Sequence, residues 1–312
     1  MTDHEERLVT TAAASAPSIL DAAPWRFVFG DDLLEVWAEP DGLSDKLDPH
    51  GRFMAISCGA ATYNACLAIR SAGHESWIQV HPRPGEWLLT AAVHIGVRRL
   101  VAPEDLARYD VIGTRLADPG PYRDWRLPFS LITRLEEAAE AEGGLFRVLT
   151  STEVERVRDS VLDIERSGPV AASDPVFASL TGAQADAPTP HIPGQHGGPD
   201  RHRSARDDAG LSDLDSTEHI PTLAVLSTPG NSTKDWVRAG MALERVLLTA
   251  LLHGVVASFV DAPVDELTER AHLRAAGFDH PQLLLRLGYP RTGAIRAQDA
   301  SDQVASTGGP GR

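Results

Sequence analysis

The chain has 312 residues, of which 42% are hydrophobic and 23% are charged, and its formal net charge is −15. This composition supports a large core in one or two domains and argues against a disordered or fibrous protein. The acidic balance disfavours nucleic acid as a partner, because phosphate binding needs clustered Lys and Arg. No apolar run reaches the ~20 residues that span a bilayer, and the N-terminus is acidic. The sequence therefore predicts a cytoplasmic protein without membrane contact.

Two long apolar segments predict buried helices of similar design. The first covers residues 51–73, has apolar residues at helical spacing and ends at Gly73. The second begins at an N-cap on Ser232 or Thr233, is apolar nearly all round and ends at Gly254. A short apolar strand follows each helix.

The spacing of glycines in these helices indicates an internal duplication. Gly59 lies fourteen residues before the end of the first helix, and Gly240 lies fourteen residues before the end of the second. We interpret the chain as two degenerate halves, 1–102 and 103–298. The alternative is that two α/β segments share a length by chance.

The remaining elements predict an α+β fold of antiparallel or mixed sheets covered by helices. One further helix ends at Gly143, and another begins with a capping box of Thr152 and Glu155. A strand after the first long helix is expected to end at Gly96. Four other strands are predicted at Trp25–Phe29, Leu33–Trp37, Phe146–Leu149 and Thr222–Leu226.

The segment 181–220 has almost no apolar periodicity and is rich in Pro, Gly, His and Asp, which is typical of a lid or a disordered loop. Its histidines, His191, His196 and His202, are irregularly spaced and are interpreted as solvated rather than metal-binding. The tail 299–312 is predicted to be disordered. No metal site is expected.

Cysteine chemistry and the common catalytic motifs do not define a site. Cys58 and Cys66 lie eight residues apart in a helical pattern and are expected to be reduced core residues. The chain has no dinucleotide-binding GxGxxG after a strand, no P-loop, no GxSxG and no HExxH. No general acid or base is assigned.

Four segments carry a resemblance to a known family: "APSILDAAPWRF", "ISCGAATYNACLAIRSAG", "DWVRAGMALERVLLTALLHG" and "PQLLLRLGYP". Through them the chain resembles the nitroreductase superfamily, and in particular its actinobacterial Acg-type branch, in which two nitroreductase-like halves are fused. The resemblance implies one FMN site built between the two halves of a pseudo-dimer.

The resemblance also implies which residues contact the flavin ring. The family turn "APSxxNxQPW" places Pro17, Ser18 and Ile19 along the flavin. The Asn of that motif falls on Asp21, which exchanges a hydrogen-bond donor for a carboxylate that only accepts when ionised. The Gln falls on Ala23, which makes no such contact, so FMN binding is expected to be weakened or lost.

Phosphate binding is implied for arginines of the second half. "IGTRLADPGPYRDWRLPF" stands in the place of the family's "RRTxRxPF" motif, and Arg115 matches one of its arginines. A second arginine falls near Asp118 or, with a shifted alignment, on Arg123. Arg291 and Arg296 follow "LGYP", where the family places a phosphate-binding residue.

Two functions follow from these residues. In the first, NAD(P)H reduces FMN, which passes a hydride to a small electron-poor acceptor such as a nitroaromatic or a quinone. In the second, the protein is a catalytically degenerate scaffold that sequesters flavin or binds another ligand in a stress response. The chain is expected to be a monomeric pseudo-dimer or a homodimer.

Overall fold

The computed structural model describes residues 1–19, 23–40, 48–83, 85–114, 122–123, 125–156, 222–259, 270, 273–274 and 277–290. Among them are helices that include α1 (Asp3–Ala14), α2 (Arg52–Ser71), α3 (Pro103–Asp110), α4 (Phe129–Glu140) and α5 (Thr233–Leu252). A short 3-10 helix covers Ile112–Thr114. The strands are β1 (Trp25–Phe29), β2 (Leu33–Ala38), β3 (His74–Val80), β4 (Leu89–Arg98), β5 (Leu145–Val148), β6 (Thr222–Ser227), β7 (Val256–Phe259) and β8 (Pro281–Gly288).

The strands form two four-stranded sheets that have the same topology. The first sheet has the order β1-β2-β4-β3, and the second has the order β5-β6-β8-β7. All neighbouring strands in both sheets are antiparallel. The α+β class predicted from the sequence is confirmed. Within the described residues, α1 comes just before the strands of the first sheet and α4 just before those of the second. In chain order, α2 lies between β2 and β3, and α5 lies between β6 and β7.

The two long helices correspond residue by residue. Each has 20 residues, and the numbers of their first residues, like those of their last, differ by 181. Gly73 and Gly254 follow the two helices at the same offset, and both have positive φ, which a residue without a Cβ adopts at little cost.

Backbone touches backbone where α2 crosses α5. A Cβ added to Gly59 would lie 2.1 Å from the Val237 carbonyl oxygen, and one added to Gly240 would lie 1.8 Å from that of Ile56. These glycines are therefore required by the close approach of the two helices.

Each long helix also packs into the hydrophobic cluster of the opposite sheet. Ile56 of α2 belongs to the cluster formed mainly by α4, α5 and the second sheet, which we call the second cluster. Val237 and Met241 of α5 belong to the cluster formed by α1, α2 and the first sheet. The two cores are thus interlocked through their central helices.

Several sequence predictions are corrected by the structure. The capping box after β5 is formed by Thr150 and Glu153, not by Thr152 and Glu155, since the Glu153 carboxylate accepts from the Thr150 amide at 2.9 Å. Gly96 does not end β4, which continues to Arg98. The helices α1 and α3 were not predicted. The buried residues of α1 are Val9, Ala12 and Ala13, and α3 has none, so neither helix has a long apolar face.

The predicted segment 181–220 and the tail 299–312 lie outside the described residues. Among the helices that the structure describes, none is both long enough and apolar enough to cross a bilayer.

Candidate functional site

The turn after α1 is fixed to the long helix α2 by one buried hydroxyl. The Ile19 amide donates to Ser57 Oγ at 3.1 Å, and Ser57 Oγ donates to the Phe53 carbonyl at 2.8 Å. Ser57 is 2% exposed. Because an amide hydrogen bond to a buried acceptor has no competing water, this contact fixes the path of the turn relative to α2.

Where the same turn leads into β1, Ala23 and Pro24 are held by hydrogen bonds. Ser18 Oγ accepts from the Ala23 amide at 3.2 Å. Ala23 has φ of +42°, a left-handed conformation that is strained for a residue with a Cβ. The carbonyl of the next residue, Pro24, accepts from the Cys58 thiol at 3.3 Å. Trp25 then begins β1 as a buried residue of the core, which makes it a packing residue.

The described members of the predicted flavin turn differ in exposure. Pro17 is buried, whereas Ser18 and Ile19 are half-buried. Ile19 packs against the second cluster, so the turn from the first sheet reaches the core of the second. The other predicted contacts lie outside the described residues and stay predictions; they are Asp21, Arg115, Arg291 and Arg296.

Two predicted phosphate-binding segments run side by side. Tyr122 forms an antiparallel bridge with Pro290, and the Arg123 amide donates to the Tyr289 carbonyl at 2.8 Å. A Cβ on Gly288 would lie 2.5 Å from the Tyr122 ring, so glycine is needed for this approach. Tyr289 and Pro290, which directly precede Arg291 in the sequence, therefore lie beside the segment that resembles the arginine motif.

The start of α2 is buried and is capped by a carboxylate from outside the helix. Asp48 accepts from the Arg52 amide at 2.7 Å and from the Met54 amide at 2.8 Å. The Arg52 guanidinium donates to the Gln282 carbonyl of β8 at 2.6 Å. This helix end thus connects the first half of the described chain to the second sheet.

Burial raises the pKa of two thiols and one phenol in α2. It raises the pKa of the Cys58 thiol to about 12, and it also raises the pKa of Cys66 and of the Tyr63 phenol. Both cysteines are free, so the prediction of reduced core residues is confirmed. Within the part of the chain that the structure describes, no three His, Cys, Asp or Glu side chains are grouped to hold a metal ion.

Comparison with known proteins gives relatives over most of the chain. No family model matches the sequence. The chain is 29% identical over 302 residues to the "Putative NAD(P)H nitroreductase Rv3131" of Mycobacterium tuberculosis H37Rv, covering 91% of this chain and 84% of the relative. It is 25% identical over 298 residues to the "Putative NAD(P)H nitroreductase acg" of the same strain, covering 88% and 86%.

Among solved structures, the chain is similar to a nitroreductase with bound FMN from Bacteroides fragilis, with 15% sequence identity and a TM-score of 0.41. That match covers 66% of this chain and 98% of the solved chain. The two mycobacterial relatives confirm that the chain resembles the nitroreductase superfamily and, within it, the Acg-type proteins.

Sequence reasoning missed Ser57, although it lies inside a segment that carries the resemblance. Its neighbours Ile56 and Cys58 fit an apolar helix, and the residue it contacts, Ile19, is 38 positions away. A serine among apolar residues of a buried helix was the available signal, because a buried hydroxyl needs a partner.

Proposed function

We propose that the protein is an FMN-dependent oxidoreductase of the nitroreductase type. In this proposal NAD(P)H supplies a hydride that reaches a small electron-poor acceptor, such as a nitroaromatic or a quinone, by way of FMN. The observation that carries it is the position of the Pro17–Ile19 turn, which is held on α2 and packs against the second cluster. The names of the two mycobacterial relatives support the same class of reaction.

The proposal assigns the site to tandem halves of one chain, 1–102 and 103–298. The shared strand order of the two sheets and the matching long helices support this division. A pseudo-dimer in one chain would place a single FMN between halves, with no need for a second copy. The segment 181–220 would act as its lid.

The described residues fit FMN unequally at its two ends. At the phosphate end, the pairing of Tyr122 with Pro290 brings two arginine-bearing segments together, and phosphate needs such fixed cations. At the ring end, the Ser18 hydroxyl accepts from Ala23 and the Ile19 amide is already bonded to Ser57. The turn therefore offers shape and apolar contact more than hydrogen bonds.

Each part of the chain has a distinct task in this mechanism. FMN, when bound, supplies hydride transfer, so the protein need not provide a general acid or base. Pro17, Ser18 and Ile19 would line the ring, and Ser57 would keep the Ile19 backbone in place. Arg115, Arg291 and Arg296 would hold the phosphate. In the motif, Asp21 stands at the position from which an amide would otherwise donate to the ring.

The test is a spectrum followed by an assay. Protein purified after growth with riboflavin is expected to show flavin absorption, or to gain it on titration with FMN. It should then oxidise NADH or NADPH steadily when a nitroaromatic or quinone is added. A protein that neither carries nor binds FMN would contradict the proposal.

One observation favours a second function, a flavin-sequestering or ligand-binding protein without turnover. Two hydrogen-bonding groups of the turn, the Ser18 hydroxyl and the Ile19 amide, are engaged within the protein. Two further hydrogen-bonding side chains of the family motif, its Asn and its Gln, are replaced here by Asp21 and Ala23. FMN binding without NAD(P)H oxidation would support this function. An Asp21→Asn variant that binds FMN more tightly would identify the carboxylate as the cause of weak binding.

A further inference from the structure

An aromatic pair is exposed where the segment after residue 121 meets the end of β8. Trp125 is 59% exposed. Its ring contacts Tyr289 edge-on, with ring centroids 5.5 Å apart and planes inclined at 64°. Tyr289 packs on the second cluster, so the pair stands on a rigid base. A large aromatic side chain held in the open in this way is typical of a binding surface.

A positioned cation completes this surface. The Arg123 guanidinium lies 4.9 Å from the centroid of the Trp125 ring. Its Nε donates to the Pro290 carbonyl at 2.9 Å, and its backbone amide donates to Tyr289. Among the described side chains, no carboxylate forms an ion pair with it. We call Arg123, Trp125 and Tyr289 the Trp125 platform.

The other exposed tryptophans lack this combination. Trp77 is 54% exposed but is stacked on His94, with centroids 5.0 Å apart. Trp87 is 62% exposed, and no described guanidinium lies over its ring. The Trp125 platform thus differs from the other two exposed tryptophans in having a guanidinium near the indole ring.

We propose that the Trp125 platform binds the adenylate end of NAD(P)H, with the adenine stacked on the indole and a phosphate contacting Arg123. Stacking on an aromatic ring together with a guanidinium contact is a common way to bind a base and its phosphate. A chain of net charge −15 repels a polyanionic dinucleotide, so a fixed local cation is needed to bind one. The inference rests on the proposed function, since it names where that reaction's nucleotide is held.

The platform also has a suitable place in the chain. Pro290, whose carbonyl accepts from Arg123, directly precedes Arg291, which is proposed to bind the FMN phosphate. The inference assigns Arg123 to the dinucleotide and not to the FMN phosphate that the shifted alignment gave it, and the flavin ring is assigned to the turn at Pro17–Ile19. A base on Trp125 is therefore not expected to compete with the flavin ring for that turn.

The experiment is a titration with ADP-ribose, which carries the adenylate end but no nicotinamide. It is followed by tryptophan fluorescence and by calorimetry, with and without FMN, so that loss of FMN binding would not end the test. We expect saturable binding that weakens about tenfold in Trp125→Ala and stays within about threefold in Trp125→Phe. Arg123→Gln should weaken binding and reduce its salt dependence, and the matched control Trp87→Ala should change neither.

Three results would overturn the inference. They are no saturable binding of ADP-ribose, equal affinity for ADP-ribose in wild type and Trp125→Ala, or a pyrophosphate affinity equal to that of ADP-ribose, which would reveal an anion contact without a base. If FMN binding and NAD(P)H oxidation are normal and Trp125→Ala does not change ADP-ribose binding, this inference is wrong and the proposed function stands. If ADP-ribose binds but FMN does not, the proposed function is wrong and the binding of the adenylate end by the Trp125 platform stands.

Discussion

The helices α2 and α5 share a backbone design but differ at their first residues. Both have 20 residues, both cross the partner helix at a glycine, and both are followed by a glycine of positive φ. The start of α5 is exposed and capped from within, since Ser232 and Asp235 form a capping box. The start of α2 has Gly51 as N-cap, and two of its amides donate to the buried carboxylate of Asp48.

This difference follows from the kind of contact at each place. Backbone contact at the helix crossing permits only glycine, so Gly59 and Gly240 are alike. The helix ends are held by side-chain contacts, which differ between α2 and α5. The buried end of α2, with Arg52 bonded to β8 and Ser57 bonded to the turn, is where the candidate site is proposed.

The largest effect is expected from breaking what the two helices share. Gly240→Ala would place a Cβ 1.8 Å from the Ile56 carbonyl oxygen, and Gly59→Ala one 2.1 Å from that of Val237. Backbone atoms in two packed helices cannot move apart cheaply, so each variant should lose about 3 kcal/mol or more of unfolding free energy. Urea denaturation measures it. Gly113→Ala is the control, since its Cβ would meet nothing within 4 Å.

A smaller effect should separate the two helix ends. Asp48→Ala leaves two buried amides of α2 without their carboxylate and should cost about 2 to 3 kcal/mol. Ser232→Ala removes an exposed cap from α5 and should cost about 1 kcal/mol. The same denaturation experiment compares them. Equal losses would show that the buried end of α2 is no more demanding than the exposed end of α5.

Ser57→Ala tests the hydroxyl that holds the candidate turn. The Ile19 amide would lose its buried acceptor, which should cost about 1 to 2 kcal/mol and speed hydrogen exchange at that amide. Thr62→Val is a matched control, because Thr62 Oγ1 only donates to the Cys58 carbonyl within α2. Similar exchange at Ile19 in both variants would contradict the role given to Ser57.

The smallest effect on stability is expected at the start of α1. This start has a capping box of Thr2 and Glu5, whereas the start of α4, at Pro128, has no side-chain cap. The backbone hydrogen bond from Thr2 is the main reason why the pKa of Glu5 is lowered from 4.5 to about 2. A lowered pKa stabilises the fold above pH 4.5, and this stabilisation is lost as the pH falls toward 2. Glu5→Gln should lower stability near neutral pH by about 1 kcal/mol.

The same variant should also flatten the acid limb of the stability curve between pH 4.5 and 2, as followed by circular dichroism. Glu6→Gln, a change in the same helical turn, is the control. An acid limb that stays unchanged in Glu5→Gln would exclude this cap as a source of pH dependence.

The sequence predicted most of the sheet and both long helices, because apolar periodicity and terminal glycines are local signals. Ser232 was one of two N-caps proposed, and the structure selects it. The capping box at Thr150 was missed by two residues, since "TSTEVE" offers two overlapping Thr and Glu pairs and only packing chooses between them.

The candidate site was less accessible to sequence reasoning. The resemblance located the turn at Pro17–Ile19, but the use of its hydrogen-bonding groups depends on Ser57, which is remote in sequence. The cap of α2 by Asp48 was also hidden, because the N-cap position itself is a glycine without a side chain. Such long-range contacts leave no periodic signal in the sequence.

The exchange of Ile56 and Val237 between the two clusters has a consequence for how the chain unfolds. Neither core can open while the other stays closed, because each loses a central side chain when its partner leaves. We therefore expect one cooperative melting transition for both sheets, with no stable fragment on either side of the helix crossing. Separately expressed pieces would have to meet before either could become native.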